Sequence, residues 1–158
     1  MNYGFVNVAA AVPSVRVADV RFNVAEIEKQ LAKAEADGVE VVVFPELSLT
    51  GYSCQDLFAQ QLLISAAEEG MALLLNQSRE MDVIGIVGAP VAYHNMLLNC
   101  GIVFQHGRIL GIVPKTFLPN YNEFYEKRWF ASAADIVKGE LSYADNDITI
   151  TSDPQLFI

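Results

Sequence analysis

The sequence predicts an α/β fold in which a mixed sheet is flanked by helices. Short, continuously apolar runs rich in Val and Ile alternate with two longer segments whose apolar residues recur at helical spacing. Two later extended runs flank a turn-like Gln105-His106-Gly107. The order reads βαβαβββ, the order of a sheet whose first strands are joined through helices and whose later ones are joined by hairpins.

Phe5 to Val12 reads as a buried first strand ended by Pro13, because its residues are small or β-branched and no basic segment precedes it as in a secretion signal. Val20, Val24, Ile27, Leu31 and Ala34 then predict a helix, with Asp19 placed to cap its start and Asp37-Gly38 to stop it. Val39 to Phe44 is apolar without alternation, the pattern of a strand covered on both faces. A second helix is expected over Gln61 to Glu80, with Leu62, Ala66, Leu73, Leu74 and Leu75 facing inward and Gly70 weakening it. Strands are expected at Val83 to Ala89, Leu97 to Phe104 and Arg108 to Val113, and a short one at Asp147 to Thr151. No repeat or linker divides residues 1–158. The closing Gln155 to Ile158 reads as the opening of a further strand, so the chain is expected to be the front portion of a domain.

Composition narrows the function classes. The 158 residues are 53% hydrophobic, enough for a core, and the mean hydropathy is +0.29. No apolar run approaches the roughly 18 to 20 residues needed to span a bilayer, so no membrane partner is expected. Ten Lys and Arg against nineteen Asp and Glu give a net charge of −9, which repels a phosphate backbone and excludes nucleic acid as the expected partner. Two cysteines without a CxxC spacing, and two histidines, offer neither a disulfide framework nor a metal site, and a reducing cytoplasm is expected. No phosphate-binding loop or dinucleotide fingerprint is present, so no cofactor is expected within the chain.

Several residues can carry chemistry. Glu46 follows Pro45 at the end of the second apolar run, where strand ends of α/β sheets open into a crevice, and Phe44, Leu47 and Leu49 predict a desolvated carboxylate suited to a general base. Lys115 follows Pro114 at the end of another run. If their strands are neighbours, the ammonium can stabilise an oxyanion while the carboxylate moves protons; a structural ion pair is the competing reading. Glu126 lies in the aromatic stretch Asn120 to Phe130, which can wall a pocket, and a carboxylate there can hold the lysine in place, whereas Glu123 reads as solvated. As nucleophiles, Cys54 lacks an activating helix start and Cys100 sits within the apolar run LLNCGIVF as a small hydrophobe. His94 and His106 read as surface residues.

Phe44-Pro45-Glu46 after a VVV run, Lys115 leading into Leu118-Pro119, and Glu126 in FYEKRWF occur in order, with NCGIVFQHGRILGIVPK ahead of the lysine. Together they resemble the nitrilase or carbon-nitrogen hydrolase superfamily over nearly the whole chain. The runs ELSLTGYSCQDLF and KTFLPNYNEFYEKRWF look most like the amino-terminal glutaminase domain of bacterial glutamine-dependent NAD synthetases. The resemblance implies part of an αββα sandwich, with Glu46 as general base, Lys115 as oxyanion stabiliser and Glu126 as the residue that positions the lysine. Tyr52 and Phe124 would line a glutamine pocket. It also implies a nucleophilic cysteine that these 158 residues do not contain, so the isolated chain is expected to be inactive. The substrates implied for the whole enzyme are glutamine and deamido-NAD, with ATP and magnesium at a synthetase domain absent here, and the family implies a homo-oligomer. Another nitrilase-like amidase, such as a carbamoylase or omega-amidase, and a catalytically silent α/β module remain open beside this reading.

Overall fold

A computed structural model describes residues 4–157. Five strands form one sheet in sequence order: β1 (Val8–Ala10), β2 (Val41–Val43), β3 (Ile84–Tyr93), β4 (Met96–Gln105) and β5 (Arg108–Pro114). β1, β2 and β3 are parallel, and β3, β4 and β5 antiparallel. Two helices, α1 (Val20–Ala36) and α2 (Gln61–Gln77), make the parallel crossovers. A separate hairpin, β6 (Gly139–Tyr143) and β7 (Asn146–Ile150), packs beside β5. No helix among the described residues is long and apolar enough to cross a membrane.

α1 forms where its apolar spacing places it. The Asp19 carboxylate accepts from the Phe22 N–H at 3.2 Å, and Gly38 takes a φ of +70° just past the helix end. Asn23, on the buried face, bonds the Arg16 backbone and the Leu49 carbonyl, tying the loop before α1 to the loop after β2.

The expected inward face of α2 holds in part: Leu74 and Leu75 are buried and Ala66 packs partly buried on the core, whereas Leu62 is 79% exposed and Leu73 faces out, their places taken by Leu63, Ile64, Ala67, Gly70 and Met71. A Cβ on Gly70 would lie 2.7 Å from Val20 Cγ1, so the glycine lets α2 approach α1 closely. The helix ends at Gln77, and Ser78–Glu80 continue it as a tighter turn.

Two burial expectations are corrected. Both helices pack on one face of the sheet, so β2 is covered on that face alone: Val42 is 1% exposed and Val43 43%. The first strand is shorter than Phe5 to Val12, and Phe5, Val6, Val8 and Val12 are exposed, because β1 is an edge strand with only Ala9 turned toward the helices. β3 runs on to Tyr93, beyond the expected Ala89. Pro90 fits because the strand edge that its missing N–H would serve faces the side where β2 has already ended.

The expected β4–β5 hairpin is present, with His106 and Gly107 both at positive φ, as a two-residue hairpin turn requires. The strand expected near Asp147 is β7; its partner β6 was not expected from the sequence. Gln155 to Phe157 form no strand, and Ile158 lies outside the described residues. Gln155 Nε2 instead donates to the Ile112 carbonyl at 2.8 Å, and Phe157 packs where a side chain on Gly111 would stand.

Candidate active site

Glu46 reaches the site because the chain after β2 crosses over β3. The crossing is possible only against a residue without a side chain: a Cβ on Gly88 would stand 2.2 Å from the Leu47 nitrogen and 2.8 Å from the Glu46 carbonyl carbon. Three contacts pin the segment there. Leu49 N–H donates to the Gly88 carbonyl at 3.1 Å, Gly88 N–H donates to Ser48 Oγ at 3.2 Å, and the Leu47 and Leu49 side chains are buried in the core. Glu46 is thereby carried past β3 to the ends of β4 and β5.

Lys115 follows β5, and its N–H donates to the Asn99 carbonyl of β4 at 2.8 Å, extending the ladder by one rung. Glu126 opens the short helical turn Glu126–Arg128, whose position is fixed from several sides. Glu126 N–H donates to the Pro119 carbonyl, Ala131 N–H donates to the Leu97 carbonyl, and Phe130 packs against Phe58 with centroids 4.9 Å apart. On the outside of this loop, Asp56 accepts from Arg128 at 2.7 and 3.0 Å and from the Trp129 indole at 2.9 Å. These charge-assisted bonds hold the Asp56 carboxyl low, at about 2.

The three candidate catalytic residues converge. Lys115 Nζ lies 2.7 Å from Glu46 Oε1 and 3.0 Å from each oxygen of Glu126. The side chains grade from cleft to core, with Glu46 41% exposed, Lys115 29% and Glu126 2%. Burial pulls the Lys115 pKa down, but its hydrogen bonds and charge interactions with Glu46 and Glu126 outweigh that and hold it above the ordinary lysine value. The ammonium is therefore a fixed cation. Glu46 is not the desolvated carboxylate expected from its apolar neighbours, because Phe44, Leu47 and Leu49 turn into the core and leave it at the surface.

Tyr52 donates its hydroxyl to Glu126 Oε1 at 2.7 Å, and burial followed by the Glu126 carboxylate drives its pKa upward. Phe124 stands edge-on to Tyr52, with centroids 6.5 Å apart. A cleft of about 270 Å³ is lined by Glu46, Asn99, Lys115, Gly101 and Val113 among others, and Tyr52 borders a separate depression of about 440 Å³ beside Asp56 and Trp129.

Neither cysteine joins the cluster as a reactive thiol. Cys54 donates to the Thr50 and Gly51 carbonyls in the core, Cys100 is buried in β4, and burial raises both thiol pKa values. Sequence reasoning missed two residues of the site. Asn99, whose side-chain amide donates to Glu46 Oε1, shows in the sequence only as a polar residue inside an apolar run. Gly88 gives no local signal at all.

Glu46, Lys115 and Glu126 are thus gathered at one end of a mixed sheet whose crossover helices lie on one face. The family model described as carbon-nitrogen hydrolase matches residues 7–150, and the chain belongs to that family. Among curated proteins, it is 34% identical over 152 residues to a glutamine-dependent NAD(+) synthetase of Mycobacterium bovis, covering 96% of this chain and 22% of the relative. A glutamine-dependent NAD(+) synthetase of Aquifex aeolicus is 36% identical over 124 residues, 78% of this chain and 22% of the relative. Among solved structures, the glutamine-dependent NAD(+) synthetase of Cytophaga hutchinsonii superposes with a TM-score of 0.84 at 26% identity, over 91% of this chain and 24% of that one. The chain thus spans about a fifth of the length of the curated relatives it matches. An amidase from Nesterenkonia sp. shares the fold, with a TM-score of 0.69 at 20% identity, over 91% of this chain and 54% of that one.

Proposed function

We propose that this chain is the front part of the glutaminase region of a glutamine-dependent NAD synthetase, where it contributes the general base and the oxyanion-stabilising cation. The observation that carries the reading is the Lys115 ammonium clamped between Glu46 and Glu126 at the strand ends, with relatives of that name matching nearly the whole chain. A purely structural ion pair would be expected within the packed core or on the free surface. Here the lysine instead borders a cleft together with a half-exposed carboxylate.

In this reading a cysteine that these 158 residues do not supply attacks the amide carbon of glutamine. Negative charge develops on the carbonyl oxygen, and the Lys115 ammonium stabilises it. Glu46 accepts the thiol proton, passes it to the departing ammonia, and then takes a proton from the water that cleaves the thioester. Glu126, anchored by Tyr52, keeps the ammonium aimed while Glu46 exchanges protons. Tyr52 and Phe124 border the glutamine side of the site. Ammonia then amidates deamido-NAD at a synthetase domain outside this chain, where ATP and magnesium act; the whole enzyme works in the cytoplasm as a homo-oligomer. On this reading residues 1–158 alone are expected not to hydrolyse glutamine; Cys54 and Cys100 are both buried.

The test compares two nitrogen sources in the full-length polypeptide. With Glu46→Gln, glutamine-dependent NAD formation is lost and ammonia-dependent formation is kept. Loss of both in a folded variant, or of neither, overturns the reading.

A further inference from the structure

We infer that Asn99 positions the proposed general base, by fixing one oxygen of Glu46 so that the other is the one that takes the proton. The inference rests on the hydrolytic reading above and adds a residue to it. Asn99 is buried in β4 opposite Pro90, and it holds both reacting groups at once. Its carbonyl accepts the Lys115 N–H at 2.8 Å, which sets where the lysine leaves the sheet. Its side-chain amide donates to Glu46 Oε1, the same oxygen that receives Lys115 Nζ at 2.7 Å. Glu46 Oε2 receives no hydrogen bond from the described residues, and the side chain is 41% exposed at the cleft that it shares with Lys115.

The physical consequence concerns rotation. The terminal torsion of a glutamate is broad and roughly two-fold, so a carboxylate held by a single donor exchanges its oxygens freely. Two donors arriving on Oε1 from different strands remove that freedom and leave Oε2 as the proton acceptor. Proton transfer falls off steeply with misalignment, so the cost of losing this anchor appears in the chemical step and not in substrate binding.

The experiment measures kcat and KM for ammonia release from glutamine in the full-length polypeptide, for Asn99→Leu, which keeps volume without a donor, and Asn99→Asp, which keeps shape and replaces the donor with a carboxylate. Glu46→Gln is measured in parallel. Both Asn99 variants are expected to lower kcat about 100-fold with KM unchanged, while amidation from free ammonia continues at the wild-type rate. If Glu46→Gln abolishes hydrolysis and either folded Asn99 variant keeps wild-type kcat, or raises KM alone, the assignment of Asn99 is overturned and the function stands. If Glu46→Gln itself keeps hydrolysis, the glutaminase reading fails first. Should Asn99→Leu not fold, Asn99→Asp decides the matter, with a wild-type far-ultraviolet circular dichroism spectrum and thermal unfolding reporting the integrity of the domain that carries it.

Discussion

Gly88→Ala tests how the sheet delivers Glu46 to the site. The added Cβ would stand 2.2 Å from the Leu47 nitrogen, whereas ordinary contact begins near 3.4 Å, and the obstacle is backbone that cannot rotate aside. The segment Pro45 to Leu49 must therefore retreat by about 1 Å, which opens the Glu46–Lys115 contact from hydrogen-bonding range to roughly 4 Å. It also weakens the bonds from Leu49 N–H to the Gly88 carbonyl and from Gly88 N–H to Ser48 Oγ. Overpacking of this kind costs about 2 to 3 kcal/mol, or roughly 5 to 10 °C in Tm for a chain of this size. Thermal unfolding followed by circular dichroism measures the loss, and a crystal structure of the variant measures the displacement. A variant with wild-type Tm and an intact Glu46–Lys115 contact would refute the argument that the crossing depends on a missing side chain.

Two further predictions follow from the loop that carries Glu126. Glu126→Leu strips Lys115 of one of its two carboxylate partners and leaves the Tyr52 hydroxyl without an acceptor; unfolding in urea is expected to show a loss of about 3 kcal/mol, and Glu126→Gln a smaller one because its amide oxygen still accepts from Tyr52. Asp56, held at about 2 against the ordinary carboxyl value of 3.8, contributes its clamp above pH ~4 and loses it as pH falls toward 2. Trp129 is the one tryptophan in the chain and donates to Asp56, so its fluorescence is expected to titrate with a midpoint near 2 in the wild type and to show no such step in Asp56→Asn.

The parts of the site that were legible in the sequence are those with a local signature. Glu46 and Lys115 each follow a proline at the end of an apolar run, and Glu126 lies in the aromatic stretch Asn120 to Phe130. Charged residues in such places stand out one by one, and their order matches a family. Asn99 and Gly88 do not stand out, because each acts on a partner distant in sequence: Asn99 on Glu46 from two strands away, and Gly88 on a segment that crosses its own strand. The fold divides in the same way. α1 was readable from its spacing and caps, whereas in α2 Leu62, Leu63, Leu73, Leu74 and Leu75 offer more apolar positions than one face can bury, and the spacing alone did not show that Leu62 and Leu73 turn out. The hairpin β6–β7 turns through Ala144 and Asp145, both at positive φ without a glycine to signal it. Exposure of Val8 and Val43 follows from both crossover helices lying on one face, which is a property of topology and leaves no mark on the strands themselves.

In the proposed function Lys115, clamped by two glutamates, stabilises the oxyanion formed when glutamine releases ammonia. Lys115→Met keeps the length of the side chain and removes its charge, so the decisive measurement is ammonia release from glutamine by the full-length polypeptide carrying it. A fall of about 100- to 1,000-fold in kcat, with amidation from free ammonia preserved, is the predicted result. Hydrolysis at the wild-type rate in the folded variant would contradict it.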